Sequence, residues 1–592
     1  MPYSKKRKQA FLIELPPEAA RTLQEASAFS GTVRIGRRKF DAVSIFHEPS
    51  EGLLSGGTSW LELIPKSDFE GRNPWDWAHD LCTGYLKAMA LADPVYVEPD
   101  IEQSWPYLNR PPMDAAAGDV GDEEFAGRST GKSTGKSVSR FAAEACAENG
   151  PDKAWPYGGS FAWHLGDKYS QLKAARDAVI ASGNGKRVRI TILDTGYDKR
   201  HRTKPENINN DLEYSIVEGV PDASDPGKRG VLYNPGHGTG TIGILAGAKT
   251  QVVDGEGKVV FDDYLGAAPE SEIIPVRVAN SVVHLWTSSL AKGIDYAISF
   301  AGKDDRASDV VSISMGGLPS RLWAEAVNRA YAAGVTIVAA AGNNFGGLPM
   351  RHLVWPARFS RVIAATGITA DFSPYVKSGF SFKMQGNYGP DSAMRTALAA
   401  FTPNIPWAEL GCAETIDLDG AGTSSATPQI AGASGLWLAE NLEEAGVGWQ
   451  KVEAVRKALF GSADKTGAES SKYFGQGVLK AADALALADS DLMDVEHADD
   501  APVSELPPDD ITFPLLHQMP GFYDLHPVTC KMYEVEAAQL YAKEQKLQEM
   551  YPGLFEEAPV DGDKCREAAQ TFCDLPTISH KLRQFLISAL AA

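Results

Sequence analysis

Between about residues 150 and 488 the chain alternates short apolar runs with helical patterns, and few folds accommodate that alternation. The runs fall at residues 188–193, 273–276, 310–313, 336–341 and 362–366, with amphipathic stretches such as 290–301 and 322–333 between them. A short strand that is apolar on both faces must be covered on both faces. Strands of that kind, interleaved with helices, predict an α/β fold with a parallel sheet flanked by helices on both faces.

The remaining chain divides by composition. Residues 1–105 read as strand (9–15), helix (17–29), strand (41–46), strand (59–64), helix (75–91) and strand (95–97). That order predicts a small α+β N-terminal domain of the split βαβ kind. Residues 106–149 are a flexible linker rich in Gly, Ser and Lys. Within it, residues 126–133 match the loose spacing of a phosphate-binding loop, ending Gly131-Lys132-Ser133. Such a loop must follow a buried strand, and the acidic residues 119–124 cannot supply one, so the repeat is low complexity. Residues 483–510 hold ten Asp or Glu and no Lys or Arg, and residues 489–510 are expected to be an acidic, solvated linker. Residues 511–592 form a small helical C-terminal region, with helices expected over 535–550 and 578–590.

Charge and cysteine content exclude several classes of function. With 57 basic and 77 acidic side chains the formal net charge is -20, the wrong sign for a chain that neutralises phosphates, so no nucleic-acid partner is expected. There is no apolar stretch of about 20 residues, and so no membrane span is expected. The basic residues 5–8 are followed by an apolar run that Glu14 cuts short, which is no secretory signal. A cytoplasmic location follows as the expectation, with non-classical export left open. The six cysteines contain no CxxC pair. Reduced, buried thiols are expected, with any disulfide confined to Cys530, Cys565 and Cys573.

Four segments carry chemistry. Residues 190–194 form an apolar run that delivers Asp194 at its end, followed by Thr195-Gly196, and strand ends of parallel sheets are where catalytic groups collect. Gly236-His237-Gly238-Thr239 places an unhindered imidazole at a helix start. Gly422-Thr423-Ser424-Ser425-Ala426-Thr427-Pro428 places a serine at the positive end of a long apolar helix, where negative charge is stabilised. Residues 337–343 form an apolar run that ends in Gly342 and Asn343, whose NH₂ is suited to an oxyanion. Each segment alone has a plain structural explanation as a turn or a helix cap.

Together, Asp, His and Ser in this order resemble the subtilisin-like serine proteases (subtilases) over about residues 150–488. The resemblance implies a serine endopeptidase with Asp194, His237 and Ser424 as its charge relay and Asn343 in the oxyanion hole. Ser424 follows Gly-Thr and is therefore chosen over Ser425. Ser314, Met315, Gly316 and Gly317 resemble the strand that pairs with an extended peptide. Ala341, Gly342 and Val354 would complete the substrate pocket, with Val354 near its base. Gly240, Gln429 and Tyr197 depart from the common pattern. By the same resemblance residues 1–105 are propeptide-like, an intramolecular inhibitory domain cut away within the linker. The partners expected are a protein or peptide substrate and that domain. No cofactor is called for, although the family often binds a structural calcium ion; no EF-hand-like loop marks a site here. The alternative is a catalytically silent scaffold of the same fold, acting as a binding or regulatory protein.

Overall fold

The computed structural model describes residues 8–104, 146, 150–487 and 505–592, less residues 17, 23–24, 26–31, 36, 48–58, 68–70, 90–93, 228–235, 283, 346–351, 378–382, 467–469 and 557–560. The phosphate-loop-like segment at 126–133 lies outside the described residues.

The N-terminal part is an antiparallel sheet built from β1 (Phe11–Leu15), β2 (Val33–Ile35), β3 (Arg38–Ser44), β4 (Ser59–Pro65) and β5 (Val97–Pro99), in the order β2-β3-β4-β1-β5. The first strand sits between β4 and β5, the arrangement expected of a split βαβ unit. Helix α1 (Pro74–Met89) covers residues 75–89 of the expected 75–91 segment, and residues 90–91 lie outside the described residues. Of the expected helix at 17–29, residues 18–22 are helical. A further strand, β6 (Glu102–Ser104), leaves this sheet and pairs elsewhere.

The central part comprises α2 (Leu172–Ser182), β7 (Arg189–Asp194), β8 (Tyr214–Ser215), α3 (His237–Ala246), the hairpin β9 (Lys249–Val253) and β10 (Val259–Tyr264), β11 (Glu272–Arg277), β12 (His284–Trp286) and α4 (Thr287–Ser299). It continues through β13 (Val310–Ile313), α5 (Arg321–Ala332), β14 (Thr336–Ala340), β15 (Asn343–Phe345), β16 (Ile363–Ile368), β17 (Met384–Gly386), β18 (Ala397–Phe401), β19 (Ile405–Ala408), β20 (Ile416–Gly420), α6 (Thr423–Asn441) and α7 (Trp449–Ser462). Seven strands form one parallel sheet, β18-β16-β14-β13-β7-β11-β8. Alternation along each strand builds a separate core on each face. Ile190, Ile192 and Val338 pack with α2, α3, α6 and α7. Leu193, Ile337 and Ala339 point the other way and pack with α4 and α5. The parallel sheet covered on both faces is as the sequence implied.

The C-terminal part carries α8 (Pro527–Lys543), α9 (Gly562–Cys573) and α10 (His580–Ala591). It shares one continuous apolar core with α4, α5 and the N-terminal sheet. Two side chains tie all three parts together. Gln539 accepts from Trp75 Nε1 at 3.0 Å and donates to the Pro319 carbonyl at 2.9 Å. Arg321 pairs with Glu14 and, at 3.3 Å, with Asp510.

One expectation is refined and one is corrected. Residues 505–510, at the end of the expected acidic linker, form no helix or strand, but Asp509 is docked on the central domain: its carboxylate accepts from Ser360 N–H (2.7 Å), Ser360 Oγ–H (2.9 Å) and Arg361 N–H (3.0 Å). Here an acidic residue serves as the acceptor for a bend of the central domain, a role that composition cannot reveal. The disulfide joins Cys146 to Cys412, 266 residues apart, whereas Cys530, Cys565 and Cys573 are free. Low sequence complexity around Cys146 had hidden a tether to the β19–β20 hairpin.

Candidate active site

Three segments converge at the carboxyl edge of the parallel sheet, where strand ends meet helix starts. Asp194 is the last residue of β7, His237 the first residue of α3, and Ser424 lies in the first turn of α6. Gly236 and Gly422, which precede the two helices, have φ of 89° and 77°, a backbone region that side-chain-bearing residues rarely adopt. Without glycine there, neither helix could start at the angle that brings His237 and Ser424 together.

The Asp194 carboxylate is buried and fully engaged. It accepts from His237 Nδ1–H at 2.9 Å (Oδ1) and 3.1 Å (Oδ2), from Thr195 N–H at 2.7 Å and from Thr241 Oγ–H at 3.0 Å. A carboxylate only accepts, so the imidazole proton resides on Nδ1 and Nε2 is left as the basic lone pair. His237 and Ser424 line one cavity of about 290 Å³, together with Ser314, Met315, Gly316, Gly342 and Asn343. The Ser424 hydroxyl donates to the Ser314 carbonyl at 3.2 Å, and Ser314 Oγ–H returns a bond to the Ser424 carbonyl at 2.9 Å. Asn343 is oriented by its own oxygen, which accepts from Thr423 N–H at 2.9 Å. Its NH₂ is therefore the end available to an oxygen entering the cavity.

The remaining expected residues are placed less uniformly. Val354 lies behind the cavity wall, buried against two glycines. A Cβ on Gly316 would stand 2.7 Å from Val354 Cγ2, and one on Gly342 2.9 Å from Val354 Cγ1. Ala341 bonds to Ala365 within the sheet, and the cavity is lined instead by its neighbour Ala340. Gly317 lies outside the cavity, bonded to Trp355 and packed on Gln103. Val282, Met384, Trp407, Asp419 and Ala421 also line the cavity, and no local signature marked them.

The departures noted in the sequence acquire structural reasons. A Cβ at Gly240 would fall 2.0 Å from Trp407 Cε2, so the glycine makes room for an indole that stands edge-on to His237 with ring centroids 5.5 Å apart. Gln429 donates to the Phe401 and Ser425 carbonyls, fixing the early part of α6. Tyr197 is buried and donates to Glu213 at 3.0 Å; burial, then the Glu213 charge, pushes its hydroxyl well above the usual value. His201 is held between Thr203 and the Thr415 carbonyl, and burial lowers its pKa, keeping it neutral. Among the described residues no group of three or more His, Cys, Asp or Glu is placed to hold a metal ion.

Residues 185–477 match the model of the subtilase family. Thermitase from Thermoactinomyces vulgaris is 30% identical over 316 residues, which span 52% of this chain and 92% of that protein. The chain belongs to the subtilase family. Subtilisin DY from Bacillus licheniformis is 29% identical over 309 residues, or 51% of this chain and 93% of that protein. Subtilisin Savinase from Lederbergia lenta is 27% identical over 299 residues. These matches cover about half of the subtilase described here, corresponding to its central α/β domain. Family membership supports serine endopeptidase chemistry acting on protein or peptide substrates. Among the described residues, no helix is long and apolar enough to cross a membrane.

Proposed function

We propose that this subtilase hydrolyses peptide bonds with Ser424 as nucleophile, His237 as general base and Asp194 as the group that fixes the imidazole, under the control of its N-terminal domain. The observation that carries the reading is the convergence on one cavity of Ser424 and of His237, whose Nδ1–H is shared between both oxygens of Asp194. Rotation of the Ser424 hydroxyl away from Ser314 towards Nε2 would place its proton on the base. Catalytic hydrogen bonds often close only when substrate is bound. Attack on the scissile carbonyl would generate an oxyanion facing the Asn343 NH₂ and the start of α6, and the imidazolium formed would be stabilised by Asp194.

Control by the N-terminal domain is supported by where that domain binds. Strand β5 and the residue that follows it deliver two buried carboxylates to helix starts of the central domain. Glu98 accepts from Ser320 Oγ–H and from the Leu322 N–H that opens α5, and Asp100 accepts from the N–H and hydroxyl of Ser288 in α4. Strand β6 then pairs antiparallel with β12, Glu102 opposite Trp286 and Ser104 opposite His284. A peptide continuing in that direction moves along β12 towards Val282, which lines the cavity. The chain thus approaches the cleft as an added strand, as an extended substrate would.

The test compares wild type with Ser424→Ala by intact mass and N-terminal mapping, followed by peptide turnover. The expected result is Ser424-dependent cutting between residues 100 and 150 and turnover that follows it. A wild type that stays whole and turns over no peptide, with or without its N-terminal domain, would instead favour a silent scaffold.

A further inference from the structure

Gln103 is polar, yet only 1% exposed, and both ends of its side chain are bonded to the central domain. Its Oε1 accepts from Leu318 N–H at 2.7 Å, and its Nε2–H donates to Thr287 Oγ at 2.9 Å. The single proton of the Thr287 hydroxyl goes to the Ile101 carbonyl at 3.3 Å, so towards Gln103 that hydroxyl is an acceptor. The site therefore presents one donor and one acceptor side by side, which is the complement of a primary carboxamide. A carboxylate would draw the Thr287 proton from the Ile101 carbonyl, which keeps the Thr287 N–H at 3.1 Å, and would carry a charge into a buried site, which is costly. A leucine would leave the buried Leu318 N–H without a partner, and buried groups left unpaired are costly. The fit is steric as well: a Cβ on Gly317 would come 2.4 Å from Gln103 Oε1.

The groups that read Gln103 belong to the two rails of the cleft. Gln103 pairs with Leu285 in the β6–β12 ladder, and Val282, three residues before Leu285 in the chain, lines the cavity. The other rail runs from Leu318 and Gly317 back through Gly316 and Met315 to Ser314, also at the cavity. An extended chain that kept this antiparallel register would meet the cavity about three residues beyond the position of Gln103. The Ile101 contribution comes from a main-chain carbonyl, which any peptide lying in the same register presents.

We propose that the cleft selects substrates carrying glutamine three residues before the residue seated at the Ser424 cavity, with Leu318 N–H and Thr287 Oγ as the reading groups and Gly317 as the steric gate. This rests on the proposed peptidase reading of the same cleft and adds its specificity.

The test is a cleavage-site profile of a denatured proteome digested by the full chain after its own processing, with Ser424→Ala as control. Matched peptides bearing Gln, Glu or Leu at that position then give kcat/KM. Glutamine is expected to be enriched upstream of the cuts and to exceed Glu and Leu by about tenfold or more. Thr287→Val is expected to weaken the preference for Gln over Leu, leaving the part owed to Leu318 N–H, and Thr287→Ser to keep it whole. Ser424-dependent cuts with no carboxamide preference, or an unchanged profile in Thr287→Val, overturn this inference and leave the peptidase reading standing. The absence of any Ser424-dependent cut overturns both.

Discussion

Replacing Glu98 tests how the N-terminal domain is held. Its carboxylate is fully buried and accepts from Ser320 Oγ–H (2.9 Å), Leu322 N–H (3.0 Å), Tyr96 Oη–H (3.2 Å) and Arg321 N–H (3.4 Å). Glu98→Ala leaves the first turn of α5 without its acceptor where water does not replace it. A lost helix cap costs about 0.5–2 kcal/mol, and a buried donor left unpaired about 1–3 kcal/mol. Docking of residues 97–104 should weaken by about 2–4 kcal/mol, a factor of roughly 30 to 700. The same group makes docking depend on pH. Burial, the largest influence, raises the Glu98 carboxyl to about 7, against the downward pull of its four donors. The docked state therefore binds the proton more tightly than the released segment, whose carboxyl has the ordinary value of about 4.5. Docking should be strongest below about pH 4.5, weaken as pH rises, and level off above about pH 7, by a factor on the order of a hundred overall. Hydrogen exchange of residues 97–104, measured from pH 5 to 8 in a Ser424→Ala background, reads the opening equilibrium without interference from catalysis. Glu98→Ala should lower protection at every pH, and Glu98→Gln should abolish the pH slope beyond that of intrinsic exchange. Equal protection in wild type and Glu98→Ala would refute the reasoning.

Other consequences are as direct. Gly240→Ala should lower stability by about 1–3 kcal/mol and reduce kcat, because the added Cβ falls on Trp407, which packs on His237; thermal unfolding and peptide turnover read both. Reduction of Cys146–Cys412 opens a loop of 266 residues and should cost about 2–4 kcal/mol, seen as a lower Tm in reductant that Cys412→Ala reproduces without reductant. A Tm unmoved by reductant would restore the expectation of free thiols. Gln539→Ala should lower protection of residues 97–104 as well as of α8, because Gln539 joins Trp75 to Pro319; a loss confined to α8 would contradict its bridging role.

The candidate charge relay was legible because each member sits where buried strands end or apolar helices begin, and the sequence marks those places with glycine. Asp194 closes β7, and Gly236 and Gly422 precede His237 and Ser424. The parallel sheet was legible for the same reason, apart from the two-residue edge strand β8 and β18, whose sequence Ala-Leu-Ala-Ala-Phe has no β-branched residue to mark it as a strand. What depended on tertiary neighbours was hidden. Trp407 and Asp419 reach the cavity from a hairpin with no local signature, and only the indole explains Gly240. Glu98, Asp100 and Gln103 are polar residues that are buried because partners on another domain satisfy them. A pattern that equates burial with apolarity passes over such positions. The same blindness made Asp509 look like linker.

The central claim is that Ser424 is an activated nucleophile, and covalent labelling tests it most directly. Wild type and Ser424→Ala are each treated, after any self-processing, with a fluorophosphonate and examined by intact mass and peptide mapping. The account predicts one adduct on wild type, located on Ser424 and not on the adjacent Ser425, and none on the alanine variant. An unlabelled wild type, or an adduct that survives Ser424→Ala, would contradict it.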